Sequence, residues 1–350
     1  MKTRIKLSLI VILALAIIIP GYAKEAPAQT PEPQEDAAAF YKGKVITFIV
    51  PYTPGGGYDT YPRLIAPFLE KHTGATVIVK NMPGGGGLIA VNHLYNAAKR
   101  DGLTILTGPG PVIATNYLLQ TEVTKFRAME FNWLCRYATV TAVLWVGAKC
   151  PYKTLGDLRA AKVVKLGTQS RYAQQSFRTT LVIEGLGLDN VKVVGGYAGS
   201  RDIQLAVLRG EVDAECRAID SVLPILTSGD GFALATIDRE RDKNVPDVST
   251  VYEIGIKNEK WMDWWLAADG LGRVIITTPG VPEARLKFLN DALKKTLQDK
   301  GLVDKAAKAR RPIENVVFGD RFLELVKKTM NLSKAEIEEL RHIVVEKYYK

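Results

Sequence analysis

The residues best placed to do chemistry are three glycine-bearing turns. Pro51–Asp59 reads P-Y-T-P-G-G-G-Y-D, Pro83–Gly87 reads P-G-G-G-G, and Thr107–Pro111 reads T-G-P-G-P. Each follows a short apolar run, and the first two open a helical pattern. That places all three at the carboxyl edge of one sheet, where open α/β folds bind ligands. Glycine lets the backbone approach a ligand, and the free N–H groups at a helix start face outward. Such a place suits an anion. Gly85 in the second turn, and Thr107 with Gly108 in the third, are candidate contacts on this ground. A phosphate cradle would add Lys and Ser/Thr after the glycines, and neither loop has them. The four-glycine run fits the dinucleotide pattern GxGxxG poorly. A single glycine-rich turn is often only a turn; three converging on one edge argue for a site.

The elements that must carry these turns follow from periodicity. Val45–Val50 is a continuous apolar run, the mark of a buried parallel strand. Tyr61, Leu64, Ile65, Phe68 and Leu69 recur at helical spacing, with Gly74 as the stop. Pro67 predicts a kink or break in that helix. Val77–Lys80 and Leu103–Thr107 read as strands, with a helix over Ile89–Ala98 between them. The alternation argues for parallel strands with right-handed crossovers. A second series begins after Pro151. Thr154 and Asp157 mark a capping box. Strands are predicted at Val163–Gly167, Val191–Val194, Val212–Arg217 and Phe232–Ile237, with helices at Ala173–Glu184 and Ile203–Arg209. Two long helices close the chain, Glu283–Gln298 and roughly Arg321–Tyr348. The expectation is α/β, with residues 40–146 and 272–350 in one domain and 147–271 in the other. A cleft between them would close about a hinge near Val146–Pro151 and a return near Ala267–Val274.

Several segments together resemble a known family. I-T-F-I-V-P-Y-T-P-G-G-G-Y-D at Ile46–Asp59, followed by Arg63, is joined by K-N-M-P-G-G-G-G at Lys80–Gly87 and D-G-L-T-I-L at Asp101–Leu106. Val194–Ser200, Gly210–Asp213, Val245–Thr250 and Thr278–Pro282 continue the series, looser in the second half. The order and spacing resemble the receptors of tripartite tricarboxylate transporters, the Bug-type periplasmic binding proteins. The resemblance implies a two-domain periplasmic binding fold of type 2, each domain a mostly parallel sheet flanked by helices, closing on a small carboxylate. It also implies large and small integral membrane subunits as partners, a monomeric receptor, no cofactor and no catalysis. The family's first loop maps to Tyr52, Thr53, Gly55, Gly56, Gly57, Tyr58 and Asp59. Its facing loop maps to Gly167–Tyr172, giving Thr168, Gln169, Ser170 and Arg171 as candidates. Gln169 and Arg171 depart from the small residues the family favours there, which puts water-bridged contact on that side in question. Arg171 reads either as a two-pronged carboxylate donor or as a solvated arginine at a helix start. Tyr197 and Asp220 also follow strands; Tyr197 is a candidate for the cleft, and Asp220 for the cleft or a helix cap. Asp59 reads as a helix cap and loop brace rather than a general base.

The rest of the sequence narrows the class. Lys2, Arg4 and Lys6 precede an apolar stretch Leu7–Ile19, then Pro20, Gly21 and Ala23. That order predicts a secretory signal cut near Ala23 and an exported, periplasmic protein. Lys24–Ala39, rich in Pro, Ala, Gln and Glu, reads as a flexible tether. The net charge of +10 falls to +7 without the signal. Lys and Arg are scattered among Asp and Glu, so nucleic acid binding is not expected. Cys135, Cys150 and Cys216 form no CxxC and no Cys/His cluster, so no metal site is expected. They read as buried free thiols, with a Cys135–Cys150 pair as the alternative. His72, His93 and His342 fall on helices rather than strand-edge loops, and no nucleophile elbow is present. Trp261, Trp264 and Trp265 read as packing rather than a ligand cage. A transport receptor and a carboxylate-binding module for sensing or sequestration both fit this sequence.

Overall fold

The computed structural model describes residues 35–139 and 141–349. The predicted signal, and the tether up to residue 34, lie outside the described residues. Eleven strands form two sheets. In chain order they are β1 (Val45–Val50), β2 (Thr76–Asn81), β3 (Thr104–Pro109), β4 (Asn132–Ala138), β5 (Ala142–Gly147), β6 (Val164–Gly167), β7 (Val191–Val194), β8 (Ala214–Ala218), β9 (Gly231–Ile237), β10 (Arg273–Thr277) and β11 (Val317–Phe318). The first sheet has the order β11-β4-β10-β3-β1-β2, and the second β7-β6-β8-β5-β9.

Both sheets are mixed, where mostly parallel ones were expected. β1 pairs in parallel with β2 and β3, and β6 with β7 and β8. β10 is antiparallel to β3 and β4, and β5 is antiparallel to β8 and β9. These two are the strands by which the chain enters a sheet after leaving the other. The reversal matters for the site, because an antiparallel strand brings its first residue to the edge where its parallel neighbours end. Arg273, the first residue of β10, thus lies opposite Pro109 at the end of β3.

The chain changes sheets between β4 and β5 and returns between β9 and β10. The expected boundary after Val146 therefore falls inside β5, which belongs wholly to the second sheet. β5 is buried along its whole length, so its apolar run carries no mark of a boundary. Pro67 does not break its helix either; Gly57–Thr73 runs unbroken across Pro62 and Pro67. Pro67 sits on the exposed face, where water can serve the Arg63 carbonyl that has lost its N–H partner. The predicted last helix divides into Gly319–Thr329, Lys334–Arg341 and a π-helical turn His342–Glu346. Ser333 starts the second of these with a capping box to Glu336, and the Thr154–Asp157 capping box is present as read. Ile343, Val344 and Val345 are buried, and Tyr348 Oη donates to Glu184 on the Gln174–Leu186 helix of the second lobe. Arg341 donates to the Leu119 carbonyl of the first lobe. The C-terminal segment thus packs on both lobes. Trp261 and Trp265 are core residues, and all three cysteines are free and buried. Among the described residues no helix is long and apolar enough to cross a membrane, and no His/Cys/Asp/Glu cluster has metal-site geometry.

Candidate ligand cleft

The first loop is held from behind by Asp59. Its buried carboxylate accepts from the Gly55 N–H (3.0 Å), from Arg63 Nε (3.0 Å) and Nη2 (2.8 Å), and from Asn81 Nδ2 (2.8 Å). Burial alone would raise its pKa, but these hydrogen bonds outweigh it and hold Asp59 below the usual carboxylate range. Asp59 is thus fully engaged as a brace. Gly55 has φ +92°, a left-handed conformation that favours glycine. Gly57 is needed for a different reason. A Cβ there would stand 3.0 Å from Arg273 Nη2 and 3.7 Å from Ser221 Oγ, so the missing side chain makes room for a guanidinium.

The second glycine run is a packing surface. Tyr52 Oη donates to the Gly86 carbonyl (3.2 Å). A Cβ on Gly86 would lie 2.9 Å from the Ala173 backbone nitrogen in the second lobe. Gly85 supports this contact and does not line the cleft. Thr107 is fully buried, its hydroxyl 2.7 Å from Tyr137 Oη, and Gly108 lies in the sheet beside it.

The second lobe supplies the opposite wall. The Gln174–Leu186 helix presents Gln174, Gln175 and Arg178, and β8 ends in Glu215, Cys216, Arg217 and Ala218. Tyr58 Oη donates to Gln174 Oε1 across the lobes (3.0 Å), and Gln174 Nε2 donates to Asp269 (2.6 Å). Burial pushes the Tyr58 hydroxyl well above its ordinary pKa, so it acts as a neutral donor. The Cys216 thiol is pushed up to about 12 by burial and is neutral as well.

Three arginines converge here, and all are nearly buried: Arg178 (4 % exposed), Arg217 (7 %) and Arg273 (5 %). A buried charge is costly unless paired. Arg178 Nη2 donates to both oxygens of Asp269 (3.0 and 2.8 Å). Arg273 Nη2 stands 3.2 Å from Asp220 Oδ2, and its guanidinium lies between the rings of Tyr58 and Tyr61, 5.4 and 5.0 Å from their centroids. Arg311 shares Asp220, donating to its carbonyl (2.7 Å) and approaching Oδ2 at 3.5 Å. Arg217 is the least well paired. Its Nη1 donates to the Ser200 carbonyl and reaches Glu215 Oε1 only at 3.5 Å. Glu215 itself is fully buried, which raises its pKa against the pull of Arg217. Four arginines thus face three carboxylates, an excess of one positive charge even with Glu215 ionised. Arg273 Nε and Nη1 and Arg178 Nε are buried without a hydrogen-bond partner among the described residues. The cleft between these walls is small, with about 70 Å³ open to the centres of water-sized molecules. A cation-rich, partly apolar cleft of this size between two lobes can hold a small organic anion.

Comparison with known proteins gives the family and the fold. The sequence profile of TctC, the tripartite tricarboxylate transporter family receptor, matches residues 62–340. The chain belongs to this family. Protein BugT of Bordetella pertussis is 24 % identical to this receptor over 317 residues, covering 87 % of the receptor and 89 % of BugT. The periplasmic binding protein BugD superposes with a TM-score of 0.72 at 20 % identity, over 86 % of the receptor and 97 % of BugD. MatC (Rpa3494) from Rhodopseudomonas palustris, solved with bound malate, superposes with a TM-score of 0.69 at 22 % identity, over 86 % of the receptor and 99 % of MatC. At these identities the superpositions establish the two-domain periplasmic binding fold.

Of the candidates read from the receptor's sequence, Tyr52, Gly57, Tyr58 and Gln169 line the cleft. Thr53 and Gly56 line a narrower crevice beside it, with Ser200 and Arg201. Gly55, Asp59, Gly85, Thr107 and Gly108 stand behind the walls as braces and packing. Thr168 is fully buried behind Gln169, and Ser170 accepts from Ser176 Oγ through its carbonyl (2.7 Å). Arg171 is exposed and lies over the ring of Tyr349 (5.6 Å), outside the cleft lining. Tyr197 packs with the core of the second lobe. Asp220 pairs with Arg273 and Arg311 across the lobes; the helix that follows β8 is Ile219–Ser228 with Ala218 at its N-cap position, so Asp220 is not its cap. The sequence reading missed Arg178, Arg217, Arg273, Gln174, Gln175, Ser200 and Ser221. Arg217 was within reach, because it lies at the carboxyl end of a parallel strand, where the same rule pointed for the glycine turns.

Proposed function

We propose that this receptor captures a small carboxylate in the cleft between its lobes and delivers it to a tripartite tricarboxylate-type transporter. The observation that carries the reading is the convergence of Arg178, Arg217 and Arg273, nearly buried, with donor capacity that Asp269, Glu215 and Asp220 leave unfilled. Charge-assisted hydrogen bonds to a carboxylate are worth about 1.5–3 kcal/mol each, and a fork-shaped guanidinium can give two. Arg217 is the anchor of choice, since among the described residues only Ser200 and a distant Glu215 accept from it. Tyr52 and Tyr58, with ring centroids 5.2 Å apart, cover the apolar part of the ligand. MatC, of the same fold, was solved with malate, a dicarboxylate of this kind. Family membership supports membrane transporter subunits as the recipients, and the Lys2–Ala23 signal supports export to the periplasm. Mass spectrometry of small molecules released by denaturing the protein purified from the cell envelope tests the ligand class. An organic acid is expected, and a neutral sugar or a cationic amine would refute it. N-terminal sequencing of the same material should begin near Lys24; an intact Met1 would refute export with cleavage.

A further inference from the structure

Gln175 lines the cleft and is 6 % exposed, yet its Oε1 accepts no hydrogen bond from any described residue. The orientation of its amide is fixed. Nε2 donates to Glu215 Oε2 at 2.6 Å, and Arg217 beside that carboxylate favours its acceptor-only form, so the oxygen end of the amide faces away from it. Glu215 is itself immobilised by Trp145 Nε1 (3.1 Å) and Arg217 Nη1 (3.5 Å), on its other oxygen. Gln175 and Arg217 therefore hang from the two oxygens of one carboxylate, and both line the cleft. Arg217 offers donors; Gln175 offers a lone acceptor. A buried acceptor left unpaired is costly, so it discriminates for a ligand that brings a donor. Four arginines around the cleft disfavour an ammonium as that donor.

We propose that Gln175, held by Glu215, is a specificity-determining residue that selects a carboxylate bearing a hydroxyl group beside the carboxyl carbon. This rests on the carboxylate-capture reading above. The bond it adds forms from the ligand hydroxyl to Gln175 Oε1, while Arg217 takes the adjacent carboxylate. A site built to bond a hydroxyl rejects the analogue that lacks it more strongly than an apolar pocket rejects an added one.

Calorimetric titration of the full receptor with matched pairs tests it: lactate and propionate, malate and succinate, citrate and tricarballylate, with aspartate as the ammonium counterpart of malate. In every pair that binds, the hydroxy acid should bind at least about tenfold more tightly, which is 1.4 kcal/mol. Gln175→Met, similar in length and without the amide, should weaken the hydroxy acid more than the plain acid and bring the two members within about threefold. Should Gln175→Met fail to fold, the parent ratios decide alone. Equal affinity within the pairs, an unchanged ratio in Gln175→Met, or aspartate matching malate would overturn the assignment while leaving carboxylate capture standing. No binding of any of the seven acids would overturn both.

Discussion

A methyl group on Gly57 would crowd Arg273 Nη2 at 3.0 Å. Gly57→Val should therefore push that guanidinium off Asp220 and into the cleft, weakening carboxylate binding about tenfold or more. Parting the buried Arg273–Asp220 pair also costs stability, so the melting temperature should fall as well; calorimetry on the folded variant, with thermal melts as a folding control, reads both. A Gly57→Val variant that binds like the parent would remove this loop from the site. Asp59 gives a pH dependence. Its folded-state pKa is lowered, so its contribution to stability is complete above its unfolded value, near 3.9, and is lost as pH falls through the lower folded value. Urea midpoints of Asp59→Asn should be lower than those of the parent at pH 6 and should converge with them as the pH falls through the lowered folded value; a gap that stays constant on acidification would contradict the brace. Glycines announce themselves in a sequence because few residues do what they do. The arginines did not, since Arg178 within a helical pattern and Arg273 at a strand start look like ordinary solvated charges until their burial is seen. Arg171 shows the converse: a loop arginine in the right place by sequence lies over Tyr349 instead.

Among the elements, the C-terminal helices carry the clearest test. Leu340 is fully buried at the end of Lys334–Arg341, next to the turn that packs on Gln174–Leu186. Leu340→Ala should cost about 2–5 kcal/mol in urea unfolding. Binding should change less than stability does, since Leu340 is not among the cleft residues. A cost below about 0.5 kcal/mol, the range of a surface change, would show that this segment is not an integral part of the fold. Strands and helices were legible wherever period and punctuation agreed: Val45–Val50, Val191–Val194 and Glu283–Gln298 match residue for residue. Strand direction was not legible. Periodicity carries no sign of which way a strand runs, so the reversal of β5 and β10 escaped, and with it the delivery of Arg273 to the cleft. The break near Met330–Ser333 escaped because the apolar spacing continues through it; only the Ser333–Glu336 capping box marks the new start.

The whole molecule is two lobes held together across the cleft by Tyr58–Gln174, Arg273–Asp220 and the Gly86–Ala173 contact. These contacts describe a closed arrangement, with few chain crossings to resist opening. Small-angle scattering should give a larger radius of gyration for ligand-free protein than after addition of a bound carboxylate; identical values would argue against closure. The two-lobed α/β plan was legible from the repeated alternation of strand and helix, whereas the crossing from one sheet to the other was hidden between the apolar runs of β4 and β5. The central claim is that a carboxylate is held in this cleft by arginine. The most direct measurement is calorimetry of the parent and of the double variant Glu215→Gln, Arg217→Gln, in which both members of the pair become neutral together so that no buried charge is left alone. The parent should bind at least one small organic acid one-to-one with micromolar affinity or better, about −8 kcal/mol. The folded double variant should bind it at least about tenfold more weakly. Parent-like affinity in a folded double variant would contradict the account.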